Sequence, residues 1–314
     1  MVVLLLASCG QEDVKVLKLA HGLDVNHSVH KAMIQMGQDL KEISGGKMEV
    51  QIYPSQQLGT ERENLELLQI GSLDMTKVSV GVMENFAPKM KVLGLPFIFR
   101  DRQHSFTVLD GPIGQQLLDE GQQYWLKGLA YYDAGSRSFY TKERPVAQPT
   151  DLEGMKIRVM ESVTAMEMVR SLGGSPTPIS WGELYTSLQQ GVVDGAENNP
   201  PSFYLSRHYE VCKYYALDEH TTLPDVLVMG TQAWNNLTEQ EKGWVKEAVQ
   251  KSVSVQRELW AASEQEALDA VKAAGVEVIR PEKNPFMDKV EGIYDAYKDQ
   301  PELYDLITKI KQTE

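Results

Sequence analysis

The stretch "VLKLAHGLDVNHSVHKAMIQMGQDLKEISGGKMEVQIYP", residues 16–54, changes its hydrophobic period twice, and those changes decide the fold. Leu17, Leu19 and His21 alternate along one face, the spacing of a strand. Val29, Met33, Met36, Leu40 and Ile43 then recur at helical spacing, and Gly45-Gly46 predicts where that helix ends. Met48, Val50 and Ile52 return to alternation in "KMEVQIYP" (47–54), a second strand. Beyond it Thr60 and Glu63 form a capping box for a helix carrying Leu65 and Leu68. "LDMTKVSVG" (73–81) reads as a third strand. Strands and helices alternating through short connections predict a parallel α/β sheet.

The pattern restarts downstream. "GLAYYDAGSRSFYT" (128–141) reads as one long strand and "GMKIRVM" (154–160) as another, followed by a helix from about Val163 to Leu172 that Gly173-Gly174 stops. Ser180 and Glu183 offer a second capping box, opening a helix through Leu184, Leu188 and Val192. These elements predict a second α/β lobe. Thr238 and Glu241 open a proline-free segment of helix formers reaching about Ala274. If continuous, its roughly 37 residues span about 55 Å, more than one lobe of this size. A helix crossing both lobes explains the length; a break near Ser252–Ser254 is the alternative. "VEVIRP" (276–281) adds a last strand, and amphipathic segments near 286–298 and 301–312 close the chain.

The chain has 314 residues, 42% hydrophobic and 24% charged, which describes an ordinary globular protein of one or two domains. A net charge of −13 argues against nucleic acid or an anionic membrane surface as partner. The cysteines are Cys9 and Cys212. Leu6-Ala7-Ser8-Cys9 follows an apolar run and resembles a bacterial lipobox, whose cysteine is acylated; a buried strand with an incidental cysteine is the plainer reading. Processing there leaves Cys212 as the sole thiol. Nothing else approaches the ~18 apolar residues of a membrane span.

Ligands of open parallel sheets bind beyond the carboxyl ends of the strands, so polar residues there count most. Lys77 and His21 share strand faces with apolar residues near those ends, and His27 follows closely. An edge lysine with a packed stem and a satisfied core histidine are the bland readings. Arg137 stands within "GSRSFYT", and Arg158 lies between Ile157 and Val159 in "KIRVM". A buried guanidinium needs a partner, which is either a structural carboxylate or an anionic ligand held by its planar fork. In "VVDGAENNPPSFY" (192–204), Asn198 and Asn199 precede two prolines that stop any regular ladder. Those amides either make the turn or face a ligand. No G-x-S-x-G, H-E-x-x-H, P-loop or G-x-G-x-x-G occurs in its required context. The "DEHT" group (218–221) lacks the spacing of a closed metal site, which makes His220 a pocket donor or a structural residue.

Five stretches taken in order then carry a resemblance: "QIYPSQQLGTERENLELLQIGSLDM", "KVLGLPFIFRD", "DLEGMKIRVM", "GGSPTPISWGELYTSLQQGVVDGAENN" and "HYEVCKYYALDEHT". From about Val16 onward the chain is similar to the substrate-binding proteins of tripartite ATP-independent periplasmic (TRAP) transporters. The resemblance implies an α/β, two-lobed periplasmic binding protein fold with a long helix spanning both lobes. It implies that Arg158 grips a ligand carboxylate, that Asn198 is its amide partner and that Arg137 is the second arginine. "YYDAGSRSFYT", "GAENNPPSFYLSRHYEV" and "DEHT" look most like the hexuronate-binding group, with glucuronate or galacturonate as ligand. Glu61, Lys77, His21, His27 and His220 are then expected to meet hydroxyls. The expected lobes are 16–135 with 222–262 and 136–221 with 263–314, after a signal and linker at 1–15. The expected partners are a small organic acid and the TRAP membrane permease, for a lipid-anchored monomer that uses no cofactor and no metal. The alternatives are a binder of a dicarboxylate, sialic acid or aldonate, or an enzyme acting on sugar acids with His220 or Glu61 as base.

Overall fold

Alternation along the first strand becomes burial: Leu17 and Leu19 are inside, while Val16 on the other face is half exposed. The computed structural model describes residues 14–314, so the lipobox cysteine, Cys9, lies outside the described residues. The strands are β1 (Lys15–Ala20), β2 (Met48–Tyr53), β3 (Met75–Ser79), β4 (Leu126–Tyr132), β5 (Ser136–Thr141) and β6 (Lys156–Val159). They continue with β7 (Ser175–Pro178), β8 (Gly195–Asn198), β9 (Tyr214–Thr222), β10 (Asp225–Gly230) and β11 (Glu277–Ile279). They form two mixed sheets, ordered β2-β1-β3-β10-β4 and β11-β9-β5-β8-β6-β7. In the first, β1, β2 and β3 run parallel and β10 runs antiparallel to both β3 and β4. In the second, β6, β7 and β8 are parallel, and β5 runs against β8 and β9.

The helix after β1 spans Ser28–Ile43 and ends where Gly45 and Gly46 take φ of +63° and +83°. Both halves of the Thr60–Glu63 capping box are present. Two expectations need correction. The long strand at 128–141 is two strands in two sheets, separated by Asp133, Ala134 and Gly135. Gly135 has φ +58°, and a Cβ there would meet Glu264 Oε1 at 2.7 Å and Trp260 Nε1 at 2.9 Å. The chain therefore turns from one lobe into the other at this glycine. The second correction is at Ser180. Its hydroxyl binds the Glu183 carboxylate at 2.6 Å instead of the backbone. A 3₁₀ turn over Trp181–Glu183 results, with an α-helix only over Leu184–Gln189 that stops short of Val192.

The long helix is continuous over Glu239–Ala273, 35 residues. At 1.5 Å per residue that is about 52 Å. Ser252 does not break it, because its hydroxyl donates back to the Val249 carbonyl at 2.6 Å and meets Tyr132 Oη at 2.7 Å. Val245, Val249 and Val253 join the first lobe's core, and Val271 joins the second's. Midway, Gln256 clamps the crossover: Oε1 accepts from Asp133 N at 2.9 Å and Nε2 donates to Asp133 O at 2.7 Å.

The last helix, Pro301–Gln312, packs against elements of the first half of the chain. Arg100 donates to the carbonyls of Lys311 and Thr313, and His104 Nε2 meets the Ile310 carbonyl at 2.9 Å. The Lys311 and Thr313 carbonyls lie at the end a helix leaves unbonded, and the Arg100 guanidinium satisfies them.

Candidate functional site

Between the sheets, beyond the carboxyl ends of β1, β3, β6 and β8, lies a cleft of about 810 Å³ measured to its open mouth. Arg158, Arg137, Asn198, Lys77, Glu61 and His27 all line it. His21 and His220 do not reach it.

On the second lobe, the strand between Ile157 and Val159 carries Arg158 inward until the residue is 2% exposed. Its Nε donates to the Ile179 carbonyl at 2.8 Å, and its guanidinium lies 5.8 Å from the Trp181 ring centroid. Its Nη1 is buried without a hydrogen-bond partner, and among the described residues no carboxylate forms an ion pair with it. Burial lowers its pKa, the mark of a cation with too little compensation. The side chain forms part of the cleft wall.

Arg137 is the opposite case. Its Nε donates to Glu197 Oε2 at 2.5 Å, Nη1 to Asn198 Oδ1 at 2.9 Å, and Nη2 to Glu197 Oε1 and O, both at 2.8 Å. Four of its donors are thus engaged within the protein. Behind it, His220 Nε2 lies 3.5 Å from Glu197 and Nδ1 lies 2.7 Å from Asp218. Burial opposes both charges, yet Arg137 and His220 hold Glu197 down at about 2, while Asp218 and Glu197 lift His220 to about 9. His220 is therefore a buried cation one layer behind the cleft, holding the group that holds Arg137.

The adjacent asparagines divide the work. Asn198 Oδ1 accepts from Arg137 and from Asn199 N at 2.9 Å, which leaves the amide nitrogen for the cleft. Asn199 caps the helix Pro200–Leu205, its Oδ1 accepting from Ser202 N at 2.9 Å. It has the local role that its position before proline allows.

The first lobe presents a different wall. Lys77 Nζ is 2.9 Å from Glu61 Oε1 and 3.1 Å from Asp225 Oδ2, its side chain 4% exposed. Burial opposes the charge, but Asp225 and Glu61 raise its pKa above the ordinary lysine value. Glu61 Oε2 also accepts from Ser79 N at 3.1 Å. His27 caps the Ser28–Ile43 helix, Nδ1 accepting from Val29 N at 3.2 Å, and its Nε2 is buried without a partner. Burial and Lys77 push its pKa down to about 3, so it is a neutral ring with a proton on Nε2. Trp260 of the long helix also lines the cleft, and its Nε1 is a second unpartnered donor. His21 instead accepts from Leu23 N at 3.1 Å and meets His30 Nδ1 at 2.9 Å, which turns both its nitrogens to the scaffold.

Sequence reasoning missed Asp225 and Trp260. An acid heading the apolar strand "DVLVMG" was the available signal for the first. Its partner became visible only with the antiparallel pairing of β10 on β3.

The lobes meet at the cleft mouth. Asn85 Nδ2 donates to the Glu161 carbonyl at 2.6 Å, and Gln56 reaches Gly182, where a Cβ would sit 2.2 Å from Gln56 Oε1.

Three comparisons agree with this architecture. A model of "bacterial extracellular solute-binding protein, family 7" (DctP) matches residues 19–300. The uncharacterized protein YiiZ of Salmonella typhimurium is 40% identical, covering 94% of this chain and 91% of that protein. A TRAP periplasmic solute-binding protein from a Bradyrhizobium species, solved with α/β-D-galacturonate, superposes with TM-score 0.93 at 41% identity, covering 95% of this chain and 100% of that one. Another from Pseudomonas putida, solved with D-glucuronate, gives TM-score 0.92 at 36% identity, covering 95% and 97%. With the family model spanning most of a two-sheet fold built around an open cleft, the chain belongs to the DctP family of bacterial extracellular solute-binding proteins, the binding subunits of TRAP transporters.

Proposed function

We propose that this protein binds a hexuronate, D-glucuronate or D-galacturonate, and delivers it to a TRAP membrane permease without chemical change. The observation that carries the reading is Arg158: a buried guanidinium in the cleft wall, with Nη1 unpartnered and no carboxylate ion-paired with it among the described residues. An isolated buried cation is costly, and a ligand carboxylate accepting from its fork removes that cost. Asn198 adds a second donor beside it. Across the cleft, Glu61, Asp225 and the His27 Nε2–H offer acceptors and a donor for sugar hydroxyls. Relatives in fold solved with galacturonate and glucuronate support the same ligand class. The lobes, 16–135 with 222–262 and 136–221 with 263–300, close on the ligand, and the helix at 301–312 moves with the first. Cys9 provides a lipid anchor on the outer side of the cytoplasmic membrane or in the periplasm, and the protein acts as a monomer.

Thermal-shift and titration measurements with glucuronate, galacturonate and neutral glucose test this. A ligand held by the folded state raises stability by RT ln(1 + [L]/Kd). Both uronates should raise the melting temperature and glucose should not. Equal shifts with glucose, or conversion of the uronate to another compound on incubation, would overturn the reading.

A further inference from the structure

At the exposed rim of the cleft Arg62 and Glu161 face each other at 3.9 Å and offset one another, and the buried parts of the two walls carry opposite charge. On the second lobe, Arg137 is neutralised by Glu197 and His220 by Asp218, so the cation left over is Arg158. On the first lobe Lys77 stands between two carboxylates; burial raises the Asp225 pKa against the pull of Lys77, and with both acids ionised the trio of Lys77, Glu61 and Asp225 bears one net negative charge. The arrangement is built into the fold. Leu227 is the register partner of Lys77 on β3, which puts Asp225, two residues away on β10, on the same face as the lysine. Asp225 Oδ2 engages Lys77, and Oδ1 is bonded to no described residue. Glu61 is fixed by the Ser79 amide at 3.1 Å. A lysine already shared by two carboxylates has no charge to spare for a third.

We propose that Asp225, together with Glu61, makes the first-lobe wall an acidic filter that accepts the hydroxyl-bearing end of a monocarboxylic sugar acid and rejects a second carboxylate there. The inference rests on the uronate reading above and adds a specificity that the reading does not contain. Hydroxyls at that end donate to Asp225 Oδ1 and to Glu61. A terminal carboxylate in the same place meets two like charges with little water to screen them. The excluded class is the aldaric acids, which keep the carbon chain of the uronate and carry carboxylates at both ends.

Isothermal titration of galacturonate and galactarate into the wild type, Asp225→Asn and Glu61→Gln tests the filter, with melting curves confirming that each variant is folded. Wild type should bind galactarate about 100-fold or more weaker than galacturonate, since like-charge contact costs several kcal/mol. Opening the sugar ring also disfavours galactarate, but equally in every variant, so it cancels in the ratio between them. Removing one charge should raise the galactarate-to-galacturonate affinity ratio about tenfold. If one variant fails to fold, the other decides the matter, because each removes one of the two charges. Galactarate binding to wild type within threefold of galacturonate overturns the filter alone, as does a ratio that stays within twofold of wild type in the folded variants. Failure of wild type to bind either acid overturns the uronate reading and the filter with it.

Discussion

Arg158 and Lys77 are both buried cations at strand ends facing one cleft, yet the protein treats them oppositely. Lys77 is satisfied by two carboxylates of its own chain, and its pKa is raised. Arg158 has one carbonyl and an orphaned Nη1, and its pKa is lowered. The first is a structural ion cluster whose outer face offers acceptors. The second is an unfinished one, which the proposed ligand carboxylate would complete. Burial of a charge therefore does not by itself separate the two; the internal counter-charge does, and its absence at Arg158 is what supports the proposed carboxylate contact.

The sharpest way to break that comparison is Lys77→Met. Removing the lysine strands Glu61 and Asp225 beside each other, and breaking a buried ion pair costs about 3–5 kcal/mol of stability. Denaturant unfolding should show that loss with or without uronate. An unchanged midpoint would mean that the cluster holds nothing together.

Asn198→Ala should weaken uronate binding by about 1.5–3 kcal/mol, the loss of one hydrogen bond to a charged group. Asn199→Ala should act on stability instead, by about 1 kcal/mol, since it removes a helix cap. Titration and melting of the pair separate the two roles, and a reversed pattern would exchange them.

A further effect concerns the supporting layer. His220 has its pKa raised to about 9 from 6.5, so its contribution is complete below about 6.5 and is lost as pH rises through about 9. His21, His27 and His208 are held by burial at about 3, so the unfolded chain binds more protons as pH falls below 6.5 and stability drops on that side. Glu197, held at about 2, contributes fully above about 4.5 and loses its share only as pH falls through about 2. Stability should therefore peak near pH 6.5 and decline by about 1–3 kcal/mol toward pH 9. His220→Gln should flatten the alkaline limb. A wild-type melting temperature that does not fall between those pH values would remove His220 from the charged network.

Much of this was legible in the sequence, because it rests on periodicity. The change from β1 to the Ser28–Ile43 helix to β2, the caps at Thr60 and Thr238, and the uninterrupted long helix follow from local spacing. Arg158 was legible for a related reason: Ile157 and Val159 bury the strand that carries it. What was not legible depends on residues distant in sequence. Gly135 was a local hint of a break in the apparent strand, but that the two halves enter different sheets, with Trp260 and Glu264 closing on the glycine, depends on distant residues. Asp225 meets Lys77 only through antiparallel pairing, and His220 sits behind Glu197 because β9 and β8 flank β5. The end of helix 301–312 is held by Arg100 and His104, far earlier in the chain.

The central claim, that Arg158 is kept unpaired for a ligand, is tested most directly by Arg158→Met, measured for stability and affinity together. Replacing a buried, uncompensated charge by an apolar chain of similar length is neutral or stabilising. The ligand-free variant should thus melt at or above the wild-type temperature. Its affinity for galacturonate or glucuronate should fall by about 2–5 kcal/mol, roughly 30- to 5,000-fold. Binding within threefold of wild type by the folded variant, or destabilisation as large as that of Lys77→Met, would contradict the account.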